Sequence, residues 1–298
     1  MDKIFYNESS AVKLGWSPDW FGATHFDEDL LKKVRKFQRD HKLTADGLVG
    51  PTTYRRIWTE RESSLDDYFH EEVQANPDQS FIIINNDFHE ISWPRVVLPF
   101  AGNGMKLTKG FRTVREKRDP SFFVCHWDVC LSSKMCHRVL KQRGISVHFA
   151  IDNDGTIYQF MDCNHIGWHA GSSKWNNNSV GVEIANAYYP KYQNWYKAHG
   201  HGPRPTWRNK KVHGSTLEPF LGFYDVQLQA LQALMETMNK AYGIPLECPL
   251  GVDGQTATTV DAKAAAGRFN GFISHYHLKK TKIDCAGLDL KQLLEEIK

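Results

Sequence analysis

The chain reads as an α/β (α+β) protein, a mixed β-sheet flanked by helices and preceded by a small helical domain. Three observations predict this. FFVCHWDV (122–129) and SVGVEIAN (179–186) have the length and apolar content of buried strands. Helical spacing separates and follows them, most clearly at Val226, Leu228, Leu231, Leu234, Met235 and Met238. The first sixty residues carry helical spacing only, and a length of 298 residues favours two domains.

Taken in order, residues 27–40 place Leu30, Val34 and Phe37 on one helical face, with Asp27 or Asp29 as N-cap. Asp46-Gly47 marks a turn, and Pro51 suits the first turn of a helix that carries Tyr54 and Ile57 inward. The polar, acidic stretch 61–80 reads as a linker. SFIIINNDFHEI and RVVLPF read as strands, and the basic stretch 101–119 as a solvated loop. CLSSKMCHRVLKQRG is helical through Met135, Val139 and Leu140. ISVHFAID and GTIYQFMD form a hairpin across Asn153-Asp154-Gly155. RFNGFISH supplies the last strand. Residues 186–223 form an irregular insertion in which aromatics alternate with Arg204, Arg208, Lys210 and Lys211; a loop lining a glycan groove is expected there.

Composition narrows the function classes. A net charge of +3 neither demands nor excludes a polyanionic partner, and no apolar run reaches the roughly 18–20 residues that span a bilayer. The amino terminus lacks a secretory apolar core, so synthesis in a cytoplasm is expected. The six cysteines are scattered, with no C-x-x-C pair for a zinc ribbon, and read mostly as buried apolar residues.

The chemistry concentrates in two segments. FFVCH delivers His126 at the end of a buried strand; SHYHLKKTKIDCAG holds His275, His277, Lys282, Asp284 and Cys285. A catalytic zinc site takes three such ligands and leaves one position open. The two segments are therefore expected to meet around one Zn2+. In an extended strand His275 and His277 would point to the same face, so either serves as a ligand. Asp284 and Cys285 are further ligand candidates in the same segment. Cys125, next to His126 on the strand, points to the opposite face, and no G-x-S-x-G elbow occurs.

FVCHWD, HFAIDNDGTIYQF, IGWHAG, NNNSVGVEIAN and SHYHLKKTKIDCAG stand in the order found in zinc-dependent N-acetylmuramoyl-L-alanine amidases. Residues 119–298, the insertion excepted, resemble this type 2 amidase family, whose fold also underlies the peptidoglycan recognition proteins. The resemblance implies His126, His275 and Asp284 as metal ligands and Glu183 and Lys282 as catalytic residues. Lys282 two positions before Asp284 favours Asp284 over Cys285. Trp168 and His169 are expected to line the substrate cleft, and His148 to be structural. Two departures stand out: Ser274 replaces a glycine before His275, and Val147 occupies a position where many relatives carry a tyrosine.

FQRDHKLTADGLVGPTTYRRI resembles the FQ…L..DG..G..T pattern of the three-helix peptidoglycan-binding domain. That likeness covers residues 1–60, with 14–30 similar to a degraded first copy of the repeat. It implies a module that holds an enzyme on the cell wall. The combination resembles a modular phage endolysin, made in the cytoplasm and acting on peptidoglycan once the membrane is breached. A monomer without nucleic-acid partners or membrane insertion is expected. A wall-recycling intracellular amidase and a non-catalytic recognition protein are the competing readings.

Overall fold

The computed structural model describes residues 2–64 and 80–297, so most of the expected linker lies outside the described residues. Helices α1 (Lys3–Leu14), α2 (Glu28–Asp40) and α3 (Pro51–Glu62) build the amino-terminal unit, with a 3-10 turn at Pro18–Phe21. Asp27, rather than Asp29, caps α2 by accepting from the Leu30 N–H at 3.0 Å. Pro51 opens α3, where its missing N–H costs nothing. The stretch 14–30 supplies the 3-10 turn and a loop that close this same unit.

The reason for the Gln and Asp-Gly signals is a buried clamp. The Gln38 amide donates to Asp46 Oδ1, the Leu48 carbonyl and Thr53 Oγ1, at 2.8 to 3.1 Å, and its oxygen accepts from the Gly47 N–H at 2.8 Å. Gly47 holds φ +81°, a left-handed conformation that favours glycine. Asn7 completes the clamp from α1, donating to the Gly47 carbonyl and accepting from Val49 N–H. The α2–α3 loop is thus held by side chains that stay satisfied without water.

A hairpin, β1 (Phe81–Ile84) and β2 (Asp87–Glu90), opens the second unit. One strand was expected here. Asn85 and Asn86 instead both adopt positive φ, the geometry of a tight hairpin turn, and their N–H groups donate to the Asp162 carboxylate. Of RVVLPF only β3 (Val96–Val97) pairs. Strands β4 (Phe111–Arg112) and β8 (Ile166–Gly167) form a small separate pair, so part of the expected loop 101–119 is ordered strand.

The main sheet uses β5 (Phe122–Trp127), β6 (Phe149–Ile151), β7 (Ile157–Gln159), β9 (Ser179–Ile184) and β14 (Gly271–Ser274) with β3, in the order β14-β5-β9-β6-β7-β3. β14, β5, β9 and β6 are mutually parallel, and β6–β7 is the antiparallel hairpin expected across Asn153-Asp154-Gly155. Helix α7 (Asp225–Tyr242) covers one face, where Leu231, Leu234 and Met235 meet Phe123, Cys125, Phe149 and Val182. Helix α4 (Ser133–Arg143) covers part of the other through Met135, Val139 and Leu140. Short helix α5 (Ser173–Asn176) completes that side around Phe122 and Val124.

The insertion is a packed element whose Tyr188 and Tyr189 line a cavity together with Thr52, Arg55 and Lys282. It contains α6 (Gln193–Ala198) and two short ribbons, β10 (Thr206–Trp207) with β13 (Phe220–Leu221), and β11 (Lys211–Val212) with β12 (Ser215–Thr216). Tyr192, Trp195 and Tyr196 are buried, and the buried Arg204 guanidinium lies between the Tyr196 and Tyr224 rings. Much of the basic–aromatic alternation is therefore cation–π packing. Two short helices, α8 (Ala262–Ala265) and α9 (Leu290–Glu295), flank the last strand and end the chain.

The two units share one apolar cluster. Leu30, Val34, Val49 and Tyr54 belong to it together with Leu131, Met135, Val139, Ala150 and Phe160. Polar contacts reinforce the seam: Thr59 donates to the Val129 carbonyl at 3.0 Å, and Arg56 donates to the Tyr192 hydroxyl at 2.9 Å. Lys191 pairs with Glu60 at 2.5 Å. The helical unit is fused to the sheet domain rather than hung from it.

Candidate metal centre and catalytic cleft

Parallel register gathers the site. Ser274 pairs with Cys125, and His126 pairs with Glu183 on the next strand. His275, following Ser274, therefore emerges beside His126, and Glu183 emerges on the other side. All three stand at the carboxyl ends of adjacent parallel strands, where open sheets present their ligands.

His126 Nδ1 and His275 Nδ1 lie 2.9 Å apart, and Asp284 Oδ2 sits 3.1 Å from the first and 3.0 Å from the second. The histidines are only 2% and 3% exposed. Donor atoms of the three residues fall within 4.8 Å of one another, a grouping able to hold a metal ion. Ligand atoms on a tetrahedral zinc stand about 3.3 Å apart, so the cluster fits such an ion with little adjustment. One carboxylate and two imidazoles leave a bound divalent cation net positive.

The protonation pattern agrees with that fit. Ser179 donates its hydroxyl to the Trp175 carbonyl at 2.8 Å, so it accepts from His169 Nε2 at 3.2 Å. His169 Nδ1 must then accept from His126 Nε2 at 3.0 Å, leaving a lone pair on His126 Nδ1 aimed into the cluster. Burial, then the neighbouring His275, pulls the His126 pKa down to about 4, which keeps that ring neutral. Burial alone would raise the Asp284 pKa, but His275 and His126 hold the carboxyl well below its ordinary range. His275 Nε2 is buried without a hydrogen-bond partner.

Glu183 faces the same cavity of about 130 Å³, together with Lys282. Its Oε2 is buried and unpartnered, and burial followed by the negative Asp128 and Asp284 pushes its pKa up to about 8. A carboxyl poised near neutrality is suited to taking and returning a proton. Lys282 is half-buried, and its carbonyl accepts from His213 Nε2 at 3.0 Å, which ties the Lys-x-Asp loop to the insertion.

Two open alternatives close, and the two residues expected at the cleft can be placed. His277 is not at the cluster, because His275–His277 is a 3-10 turn and not a continued strand. His277 Nδ1 accepts from the Ser274 N–H and Nε2 meets the Ala257 carbonyl, so both ring nitrogens are used elsewhere. Cys285 points into the apolar cluster on the Cys125 face, leaving Asp284 alone at the metal site. His169 reaches the cavity, but both its nitrogens serve to orient His126. Trp168 is 48% exposed and borders a separate depression of about 790 Å³ with Phe111 and Asn177. His148 is structural as expected: it accepts from the Gly181 N–H and bonds the His165 carbonyl.

Sequence reasoning missed Ser179, Asp128, Arg55 and Arg143. Asp128 follows the FVCHW strand; its Oδ1 accepts from the Cys130 and Asn186 N–H groups, and burial raises its pKa to about 7. The only signal for Ser179 was its place at the start of β9, four residues before Glu183.

Residues 116–250 match the family model described as N-acetylmuramoyl-L-alanine amidase, and residues 13–57 match that of a putative peptidoglycan binding domain. The matched segment carries His126 and Glu183, and the fold supplies His275 and Asp284 beside them. The chain thus combines an amidase-type domain, bearing a His-His-Asp cluster, with a peptidoglycan-binding type of domain before it. No curated protein matches the chain. Among solved structures, an endolysin N-acetylmuramoyl-L-alanine amidase from Clostridium intestinale URNW is 16% identical, over 68% of this chain and 95% of that one, at a TM-score of 0.40. The hydrolase AmiA of Staphylococcus aureus is 14% identical over 68% and 82%, at 0.40. Drosophila PGRP-LB is 16% identical over 68% and 92%, at 0.34. Likeness of this degree carries no functional weight by itself; the amidase assignment rests on the family match and the His-His-Asp cluster.

Proposed function

We propose that the chain is a zinc-dependent N-acetylmuramoyl-L-alanine amidase, hydrolysing the amide between N-acetylmuramic acid and the L-alanine of the stem peptide. The observation that carries this is the convergence of His126, His275 and Asp284 beside the unpartnered carboxyl of Glu183. Those three residues would hold Zn2+, which supplies Lewis acidity at a carbonyl and lowers the pKa of water toward neutrality. Glu183 takes a proton from the attacking water as its oxygen bonds the carbonyl carbon. It returns that proton to the alanine nitrogen as the C–N bond breaks. The Lys282 ammonium opposes negative charge gathering on the carbonyl oxygen. His169 and Ser179 keep the His126 ring in the productive tautomer.

The pairing of this domain with a peptidoglycan-binding type of domain supports a lytic role, with the monomeric enzyme made in a cytoplasm and reaching the wall after membrane breach. Burial of Arg204 and its neighbouring aromatics weighs against nucleic acid as a partner. Mass spectrometry of digested peptidoglycan, with and without chelator, tests the activity. Free stem peptides and intact glycan strands are expected without chelator only. New reducing sugar ends would overturn the reading.

A further inference from the structure

The amino-terminal unit reaches into the catalytic cavity. Pro51, Thr52 and Arg55, at the start of α3, line it together with His126, Glu183 and Asp284. A second cavity of about 390 Å³ shares Thr52, Arg55, Trp127, Lys282 and Asp284 with the first and continues between the units toward Tyr188 and Tyr189. The cleft leading away from the metal cluster is thus walled on one side by a domain that carries no metal ligand.

Three cations face this cleft outside any direct ion pair among the described residues. Arg55, Arg143 and Lys282 are half-buried, and among the described residues the charged ends of all three make no hydrogen bond or ion pair. Elsewhere at the seam, Arg56 and Lys191 are both paired with Glu60. Burial, then the like charge of Arg55, pulls the Arg143 pKa down to about 10, against the opposing pull of Glu183. Glu183 acts on these cations only across the cavity, since among the described residues no cation lies within ion-pair distance of it. A guanidinium kept half-dry, unpaired and beside a like charge is prepared for an anion that arrives from outside.

Resting on the amidase reading, we infer that Arg55 of the peptidoglycan-binding type of domain, with Arg143 beside it, receives a carboxylate of the substrate's stem peptide and so positions the scissile amide over the catalytic residues. The domain then contributes to substrate selection inside the active site, in addition to any hold on the wall. A carboxylate is the chemistry that fits: its two oxygens match the guanidinium fork, and the stem peptide presents such groups beyond the alanine.

The test uses the full zinc-loaded chain and two synthetic substrates, a muramyl-L-alanyl-D-glutamate with free carboxylates and the same compound with both converted to amides. The wild type is expected to have a KM at least about tenfold lower for the acid. Arg55→Ala should raise KM on the acid by about that factor, with kcat nearly unchanged and the amide substrate unaffected. Arg55→Lys should fall between. Equal effects of Arg55→Ala on both substrates would overturn the proposal. So would a wild-type enzyme indifferent to the carboxylates, which requires no variant to fold. Release of peptide from neither substrate would overturn the amidase reading itself.

Discussion

Asp284 and Cys285 are neighbours in the chain, yet one faces the metal cluster and the other the apolar side of the sheet. Asp284→Asn should abolish zinc retention, whereas Cys285→Ala should keep one zinc per chain and lose stability as a cavity mutation, by about 1–3 kcal/mol. Elemental analysis with thermal melts separates the two. At Glu183 the expectation concerns chemistry and not binding: Glu183→Gln should lower kcat by about 10²–10⁴ while zinc content stays constant. Loss of the metal in that variant would contradict the assigned role.

At the scale of elements, the parallel strands β14, β5 and β9 set which side chains meet, and close packing sets how they point. Gly181 on β9 illustrates this. A Cβ there would stand 2.6 Å from His169 Nδ1, so the glycine of the GVE motif makes room for the ring that orients His126. Gly181→Ala should therefore displace His169 and weaken zinc binding by about 10–100-fold, measurable by competition with a chromogenic chelator. Helix α3 does comparable work at the seam through Glu60. Burial would raise the Glu60 pKa, but contacts with His41, Lys191 and Tyr192 hold it at about 2. Its folded value lies below the unfolded one, so its contribution is present above about pH 4.5 and is lost as pH falls toward 2. Glu60→Gln should flatten the acid arm of the melting-temperature profile.

For the whole molecule, the shared apolar cluster predicts joint behaviour of the two units. Calorimetry should show one unfolding transition rather than two. Removing residues 1–64 should lower the melting temperature and promote aggregation, because α4 would lose the cover given by Leu30, Val34 and Tyr54. A truncated chain melting like the full one would show that the seam contributes little.

How much of this was legible beforehand follows from the range of the interactions involved. The strands ending in His126 and Glu183, the hairpin at Asp154-Gly155 and helix α7 are written in local apolar patterning and turn chemistry. The ordered motifs made the metal and catalytic residues legible as a resemblance. The choice between His275 and His277 stayed open because strand periodicity was carried past Ser274, where the backbone turns into a 3-10 geometry held by the His277 ring itself. The insertion was only partly legible because exposed and buried basic–aromatic alternation look identical as letters; only packing shows that Arg204 lies between rings.

What the sequence by itself determined was the class of fold, the strand that ends in His126 and a short roster of candidate ligands, since residue type and near-neighbour spacing suffice for these. The tertiary structure alone decided between Asp284 and Cys285, drew His169 and Ser179 behind His126, and brought Arg55 from a helix near the other end of the chain to the catalytic cleft. Those outcomes depend on which side chains share a face after strands far apart in sequence have paired, and no local pattern of residues encodes that.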